Sequence, residues 1–152
     1  MVQRNGAGQA IVTIKSHQWQ VSLATNYLDL VQGLSNTPQI PSGTGMLFDL
    51  RHDTTFTVTT KEMLFPIDIV RINSAMTVVD VAHDVQPGRL VTSDVPARYF
   101  LEVNAGEAND ISQPDQAAIQ LTASTAPMQI DISGLVITLL AMALMASVVR
   151  AS

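Results

Sequence analysis

Apolar and polar residues alternate near the start of the chain, as they do in half-buried strands. In "HQWQVSLA" three apolar residues, Trp19, Val21 and Leu23, are separated by polar ones, which places the three on one face. The preceding "QAIVTI" is also rich in β-branched residues, and Lys15 to His17 predict a turn between the two segments. The first predicted element is therefore a β-hairpin.

The period then changes to that of a helix in "TNYLDLVQG". Thr25 is a residue type that caps a helix start, and Gly33 one that ends a helix in a left-handed conformation. Four apolar residues follow helical spacing: Tyr27, Leu30, Val31 and, directly after Gly33, Leu34. This predicts one short helix, held by packing more than by propensity.

Six further segments rich in apolar or β-branched residues predict the remaining strands, with 73–74 joining the third to the fourth. Residues 87–96 are predicted as turn and connector, and 106–112 as one helical turn. Short strands broken by turns favour a mainly β (α+β) domain, a compact, mainly antiparallel sheet or small barrel with one packed helix. The six segments are 46–50, 54–60, 65–72, 76–85, 97–103 and 117–124.

The end of the chain has a different composition. Ile132 to Val149 contain no charged residue, and 18 helical residues span about 27 Å, close to the ~30 Å hydrocarbon core of a bilayer. This predicts an N-terminal arm at 1–9, a β domain at 10–122, a linker at 123–129 and a transmembrane helix at 130–150. The alternative is a core helix of a larger soluble fold.

Small residues recur four positions apart in this tail, which permits close helix packing in lipid. The pairs are Gly134 with Thr138 and Ala143 with Ser147. Arg150 after the segment favours a cytoplasmic C-terminus and an external domain, since positive residues tend to stay inside. A tail-anchored protein with a cytoplasmic head is the alternative.

The charge of the chain excludes one class of partner. Residues 1–131 carry seven Lys and Arg against thirteen Asp and Glu, a formal charge of −6. Nucleic acid is therefore not an expected partner, because its phosphates require Lys and Arg. There is no Cys, which excludes disulfides and thiolate chemistry.

Four segments carry a family resemblance: "ATNYLDLVQGL", "GTGMLFDL", "KEMLFPIDIV" and "PARYFLEVNAGEANDIS". In this order, over roughly residues 10 to 122, they resemble the domain of unknown function 192 family. The resemblance implies a compact mainly β domain with a helix packed on it and no established enzyme activity. It also favours an extracytoplasmic domain, since members are often exported or lipid-anchored. The chain departs from the family at 59–62, where Thr-Thr-Lys-Glu replaces an aromatic-Met-Lys-Asn pattern, and in its tail.

Asp68 is the first candidate site residue, because alternation places it on the opposite face from Ile67 and Ile69. It is either a carboxylate at a pocket mouth, with Lys61 or Arg98 as partner, or a structural carboxylate bound by backbone or Arg. Glu102 shares a strand face with Arg98, roughly 13 Å away, so each is expected to bind a neighbouring strand.

No catalytic, metal or cofactor site is predicted. His17, His52 and His83 are far apart in sequence and lack metal-ligand spacing, and no Ser lies in a nucleophile-elbow context. The sequence therefore favours a non-enzymatic, single-pass membrane protein, an accessory or structural subunit that docks in a larger assembly through its tail and β domain. Its expected partners are the bilayer and other membrane proteins. The alternative is a membrane-tethered module with a ligand cleft near Asp68.

Overall fold

The computed structural model describes residues 8–122, 128–132 and 135–139. The chain divides into two units, Met1–Thr122 and Ala123–Ser152. In the first unit the elements are β1 (Gly8–Ile14), β2 (His17–Ala24), α1 (Tyr27–Gln32), β3 (Thr44–Thr59), β4 (Ile67–Ile72), β5 (Val78–Val85), β6 (Leu90–Asn104) and β7 (Ala117–Thr122).

The seven strands form one mixed sheet in the order β5-β4-β6-β3-β2-β1-β7. β2 and β3 are parallel, because α1 carries the chain back between them, and the other neighbouring pairs are antiparallel. The two edge strands meet where Thr77 bridges Gln116 and the Ala117 amide donates to the Met76 carbonyl at 2.8 Å. The sheet is thus curled until its edges touch at one point.

The predicted hairpin is confirmed. Ile14 pairs with His17, so the turn is Lys15–Ser16, and Lys15 adopts a φ of 54°. Trp19 and Val21 are buried, whereas the polar residues that alternate with them are exposed.

Two strands are longer than predicted. Segments 46–50 and 54–60, expected as separate strands, both belong to β3, whose register shifts between Asp49 and Thr54. The predicted connector at 87–96 is wrong for its second half, because β6 begins at Leu90 and pairs with β3 from Leu90 onward. Its polar residues are tolerated because this stretch of β6 is largely exposed.

The helix is present but two details of its prediction are wrong. The N-cap is Asn26, not Thr25, and its side chain accepts a hydrogen bond from the Asp29 amide at 3.0 Å. Val31 does not face the sheet: its exposed fraction is 63%, while Leu34 is buried. Gly33 ends the helix at a φ of 48° and ψ of −134°.

Each face of the sheet carries its own apolar layer. The first joins residues of β1 to β6 with Ala108 and Ile111 of the loop after β6. The second, on the opposite face, includes Met46, Phe48 and Phe100 and is covered by Leu34 and its neighbours. The core formed by the described residues therefore lies within the first unit.

The second unit contains β8 (Met128–Ile132) and β9 (Leu135–Leu139), which pair antiparallel. The predicted helix at 130–150 is not shown: its described residues lie in strands, and Thr138 is opposite Gln129. Gly134, Ala143 and Ser147 lie outside the described residues. Within the described part of the chain, no helix is long and apolar enough to cross a bilayer.

Candidate functional site

Asp68 lies in β4 and is fully buried. Its carboxylate accepts backbone N–H groups from Asp84, Gly106 and Ala108, each at 2.9 Å. It therefore fixes the loop after β6 to the sheet, and three donors offset the cost of burying a charge. Neither of its expected partners, Lys61 and Arg98, contacts it, and its burial removes it from any pocket mouth.

Glu102 pairs across strands with Met46 and Ile69, so its side chain is on the face opposite that of Asp68. It is buried, and its Oε2 has no hydrogen-bond partner among the described residues. Burial raises the pKa of Glu102 to about 8. The side chain is thus a carboxyl group that favours its protonated form at neutral pH.

Arg98 binds Asp49 of β3 through two hydrogen bonds, Nε to Oδ1 at 3.0 Å and Nη2 to Oδ2 at 3.1 Å. Its guanidinium also lies 4.8 Å from the centre of the Tyr99 ring. Burial alone would raise the pKa of Asp49, but hydrogen bonds from Arg98 and the Arg51 amide lower it overall. Arg98 therefore binds a neighbouring strand, as predicted.

Lys61 is exposed in the turn after β3. The structure consequently disperses the four candidates: Lys61 at a turn, Arg98 on Asp49, and Asp68 and Glu102 on opposite sheet faces. They do not line one cleft.

A cleft of about 290 Å³ lies instead beside the loop after β6. It is organised by Glu107, which accepts hydrogen bonds from Trp19 Nε1 at 2.8 Å, Ser42 Oγ at 2.9 Å and the Gly43 amide at 3.1 Å. The cleft is lined by His17, Gln18, Trp19, Ser42, Gly43, Gly106 and Glu107.

His17 forms one rim of this cleft. Its ring stacks on Trp19 with centroids 5.6 Å apart, and its Nε2 lies 2.7 Å from Asp110 Oδ1. Lys15 binds the Asp110 carbonyl and pairs with Asp115 at 3.0 Å. The rim is therefore a set of polar and charged groups joined by hydrogen bonds and an ion pair.

In this cleft the Ser42 hydroxyl donates to Glu107 and not to His17. His52 and His83 are exposed elsewhere. Over the described residues, no three His, Asp or Glu side chains are grouped to hold a metal ion.

The sequence analysis missed Glu107 and Asp110, which lie in the segment predicted as a helical turn and here form successive turns. The sequence offered one indication of these residues, namely that both are acidic and lie in a Gly-containing loop next to the end of a strand. That indication names no partner, because Trp19 and Ser42 reach Glu107 from positions 88 and 65 residues away.

Comparison with known proteins identifies relatives. The family model of DUF192, described as an uncharacterized ACR, matches residues 10–119. A crystal structure from Sinorhizobium meliloti 1021, described as a proposed transcription regulator, is 26% identical with a TM-score of 0.68, covering 75% of this chain and 94% of that one. A protein of unknown function from Novosphingobium aromaticivorans DSM 12444 is 21% identical with a TM-score of 0.68, covering 78% and 91%. Among curated proteins, none matches.

Proposed function

The chain belongs to the DUF192 family, which brings no activity with it, and we propose that the protein is a membrane-anchored accessory subunit of a larger assembly. The observation that carries this proposal is the uncharged segment Ile132–Val149, which follows the β domain in the sequence. The buried residues of both described apolar layers lie between 10 and 111. An uncharged segment of 18 residues that follows the domain in sequence is suited to lipid or to an apolar surface of another protein.

In a bilayer this segment is proposed to form the transmembrane helix at 130–150. A two-stranded hairpin leaves the outer N–H and C=O groups of both strands unpaired, which is costly where water is absent. A helix satisfies those groups within the segment. Gly134 with Thr138 and Ala143 with Ser147 then form two pairs of small residues on opposite sides of the helix, and a neighbouring helix can approach either pair closely.

The β domain contributes a second docking surface under this proposal. The outer side of α1 exposes Leu28 and Val31, with 75% and 63% of their area accessible. Leu64, 59% exposed, follows Met63, which packs in the layer beneath α1. Exposed large apolar residues gathered on one covering element are typical of contact surfaces. The domain is proposed to be extracytoplasmic, with Arg150 on the cytoplasmic side.

A nucleic-acid role, which the description of the Sinorhizobium relative would suggest, is not supported by the charges of this chain. Its net charge is −5. Lys15, Arg71 and Arg98 are already paired with Asp115, Asp80 and Asp49. A phosphate backbone would have to compete with those carboxylates.

The experiment is fractionation of the full-length protein after alkaline carbonate treatment. The wild-type chain should remain with the membranes until detergent is added. Leu140→Lys places a charge at the centre of the segment, costs about 3 kcal/mol of insertion, and should shift the protein to the soluble fraction. Gln20→Lys, on the exposed face of β2, is the matched control and should stay with the membranes.

Two further measurements complete the test. Protease added to sealed vesicles should cleave the β domain only from the outside. Purification in mild detergent from the native source should yield partner proteins. Wild-type protein that stays dispersed without detergent as a monomer would refute the proposal.

A membrane-tethered ligand-binding module is the second candidate function, and the cleft at Glu107 is the observation that favours it. The cleft differs from the one expected near Asp68, whose carboxylate is already bound by backbone amides. A thermal-shift screen of small polar compounds should find stabilisers of the wild type that fail with Glu107→Gln. Equal responses from both proteins would exclude this cleft as the site.

A further inference from the structure

Glu102 is buried beneath the segment that follows β2, residues 26–40, which we name the α1 segment. A Cβ atom placed on Gly33 would lie 3.7 Å from Glu102 Oε2 and 3.1 Å from Phe48 Cζ. A side chain at position 33 would be tight against Phe48 and in ordinary contact with Glu102, and the φ of 48° also favours glycine. The α1 segment therefore lies directly over the carboxyl group.

The surroundings of Glu102 are apolar. Phe48 and Phe100 stack with centroids 4.1 Å apart on the same sheet face, and Leu34 packs in the same layer. A carboxyl group placed here can be neutral at modest cost, whereas an ionised one lacks donors. Desolvation is the only cause that raises its pKa.

The charged groups of the surrounding elements are committed to other partners. On α1, Asp29 is bound to Asn26. The other titratable residue of α1 is Tyr27. On β4, Arg71 binds Asp80 at 2.6 Å and the Val91 carbonyl at 2.8 Å, while its buried Nε has no hydrogen-bond partner among the described residues. On β3, Asp49 binds Arg98 of β6 and accepts a hydrogen bond from the Arg51 amide. The Arg51 guanidinium binds the Thr25 carbonyl. Glu62, which follows β3, is exposed. None of these described contacts supplies a cation to Glu102.

The α1 segment is attached by the packing of Leu34 and by two hydrogen bonds, from the Asn36 amide to the Glu62 carbonyl at 2.7 Å and from Asn104 Nδ2 to the Ile40 carbonyl at 3.1 Å. Its helix has six residues, fewer than a helix needs to be stable by itself. Two outward-facing residues, Leu28 and Val31, contribute little to its attachment. Local opening of such an element costs less than global unfolding.

We propose that Glu102 is a proton-operated latch: with its proton bound the α1 segment is closed on the sheet, and loss of the proton releases the segment and exposes the Phe48–Phe100 face. The site thus binds a proton as its ligand and couples that binding to access to an apolar surface.

The direction of the pH effect follows from proton linkage. In the closed state the pKa of Glu102 is about 8, and in the open state the carboxyl meets water and returns towards its ordinary value of 4.5. The closed state therefore holds more protons between these two values, so its stability falls as pH rises from 4.5 to 8 and is constant above. Opening should increase about tenfold per pH unit in this window.

The test is hydrogen exchange of the full-length protein from pH 5 to 9, corrected for the intrinsic exchange rate. The amides of Leu30 and Gly33 report on the latch, because they donate to Asn26 and Asp29 within α1. Their protection should fall about 100-fold from pH 5 to 7 and level off above pH 8. In Glu102→Gln it should change less than threefold.

Two controls separate the latch from other effects. The three histidines are present in both proteins, so the difference between the two profiles isolates Glu102. Asn26→Ala removes the cap and should raise opening about fivefold at every pH while keeping the slope. This variant serves the test even if Glu102→Gln does not fold.

If the protection of the Leu30 and Gly33 amides in the wild-type protein does not change with pH, the proposal is wrong. An equal slope at the β1 and β2 amides would also overturn it, because the whole domain would then be responding. An equal slope in Glu102→Gln would assign the titration to another group.

Discussion

Asp68 and Glu102 lie on neighbouring strands only one register position apart, yet their side chains enter opposite faces of the sheet. Asp68 is opposite Val103, and Ile69 is opposite Glu102. Asp68 accepts three backbone N–H groups, whereas Glu102 Oε2 accepts none from the described residues. These two buried carboxyl groups therefore differ in role although both lie in central strands. Asp68 fixes a loop, and Glu102 favours its protonated form.

Replacing Asp68 with Asn should loosen the loop after β6. The amide retains one acceptor oxygen and places an NH₂ group against N–H donors, so at least one donor loses its partner. We expect unfolding free energy to fall by about 2–4 kcal/mol. Denaturant titration measures it, and Asp94→Asn, at an exposed position, should change it by less than about 0.5 kcal/mol. Equal effects of the two variants would contradict the anchoring role.

Gly45 marks the closest approach of β3 to β6. An added Cβ would lie 2.3 Å from the Glu102 carbonyl oxygen, which is backbone and cannot turn away. Gly45→Ala should therefore lower the melting temperature strongly, with a loss of about 3 kcal/mol or more. Gly8→Ala is the matched strand control, since its Cβ would meet Leu23 at an ordinary 3.6 Å. A mild effect at Gly45 would show that the two strands can separate cheaply.

Trp19 reports on the cleft, because it is the single Trp of the chain and donates its indole N–H to Glu107. In Glu107→Leu the indole and Ser42 lose their acceptor, so the emission maximum should move and stability should fall by about 1–3 kcal/mol. Glu62→Leu, at an exposed acidic position, is the control and should leave the spectrum unchanged. An unchanged spectrum in Glu107→Leu would argue against the indole bond in solution.

The Asp49–Arg98 pair should make part of the stability acid-sensitive. Because the pKa of Asp49 is lowered below 3.8, its contribution is present above that value and is lost as pH falls through the lowered pKa. Asp49→Asn should thus be less stable than wild type by about 1 kcal/mol at pH 6, with the gap closing as pH falls below 3.8 and through the lowered pKa. Thermal melts over this range measure it, and a gap independent of pH would assign the loss to packing.

Local sequence patterns predicted those elements whose cause is local. The alternation around Trp19 and Val21 specified the hairpin, because strand side chains alternate whatever lies beyond the strand. Alternation also separated Asp68 from its neighbours Ile67 and Ile69. Val31 was assigned to the wrong face because a six-residue helix has too few positions to define its buried stripe.

The candidate site was less predictable. Grouping Asp68, Lys61, Arg98 and Glu102 required knowledge of which strand faces they share, and sequence distance does not supply it. β6 was predicted too short for a related reason: its polar first half is a strand because it pairs with β3, and propensity alone does not reveal a partner.

By itself the sequence determined the mainly β class, the family, the acidic charge and the uncharged end of the chain, since these depend on composition and on neighbours within a few residues. Only the tertiary structure decided that Glu107 meets Trp19, that Asp68 holds a loop, and that Glu102 Oε2 is buried without a donor among the described residues. Such contacts arise when strands distant in sequence become adjacent, and burial changes the energy of a charged group far more than its type does.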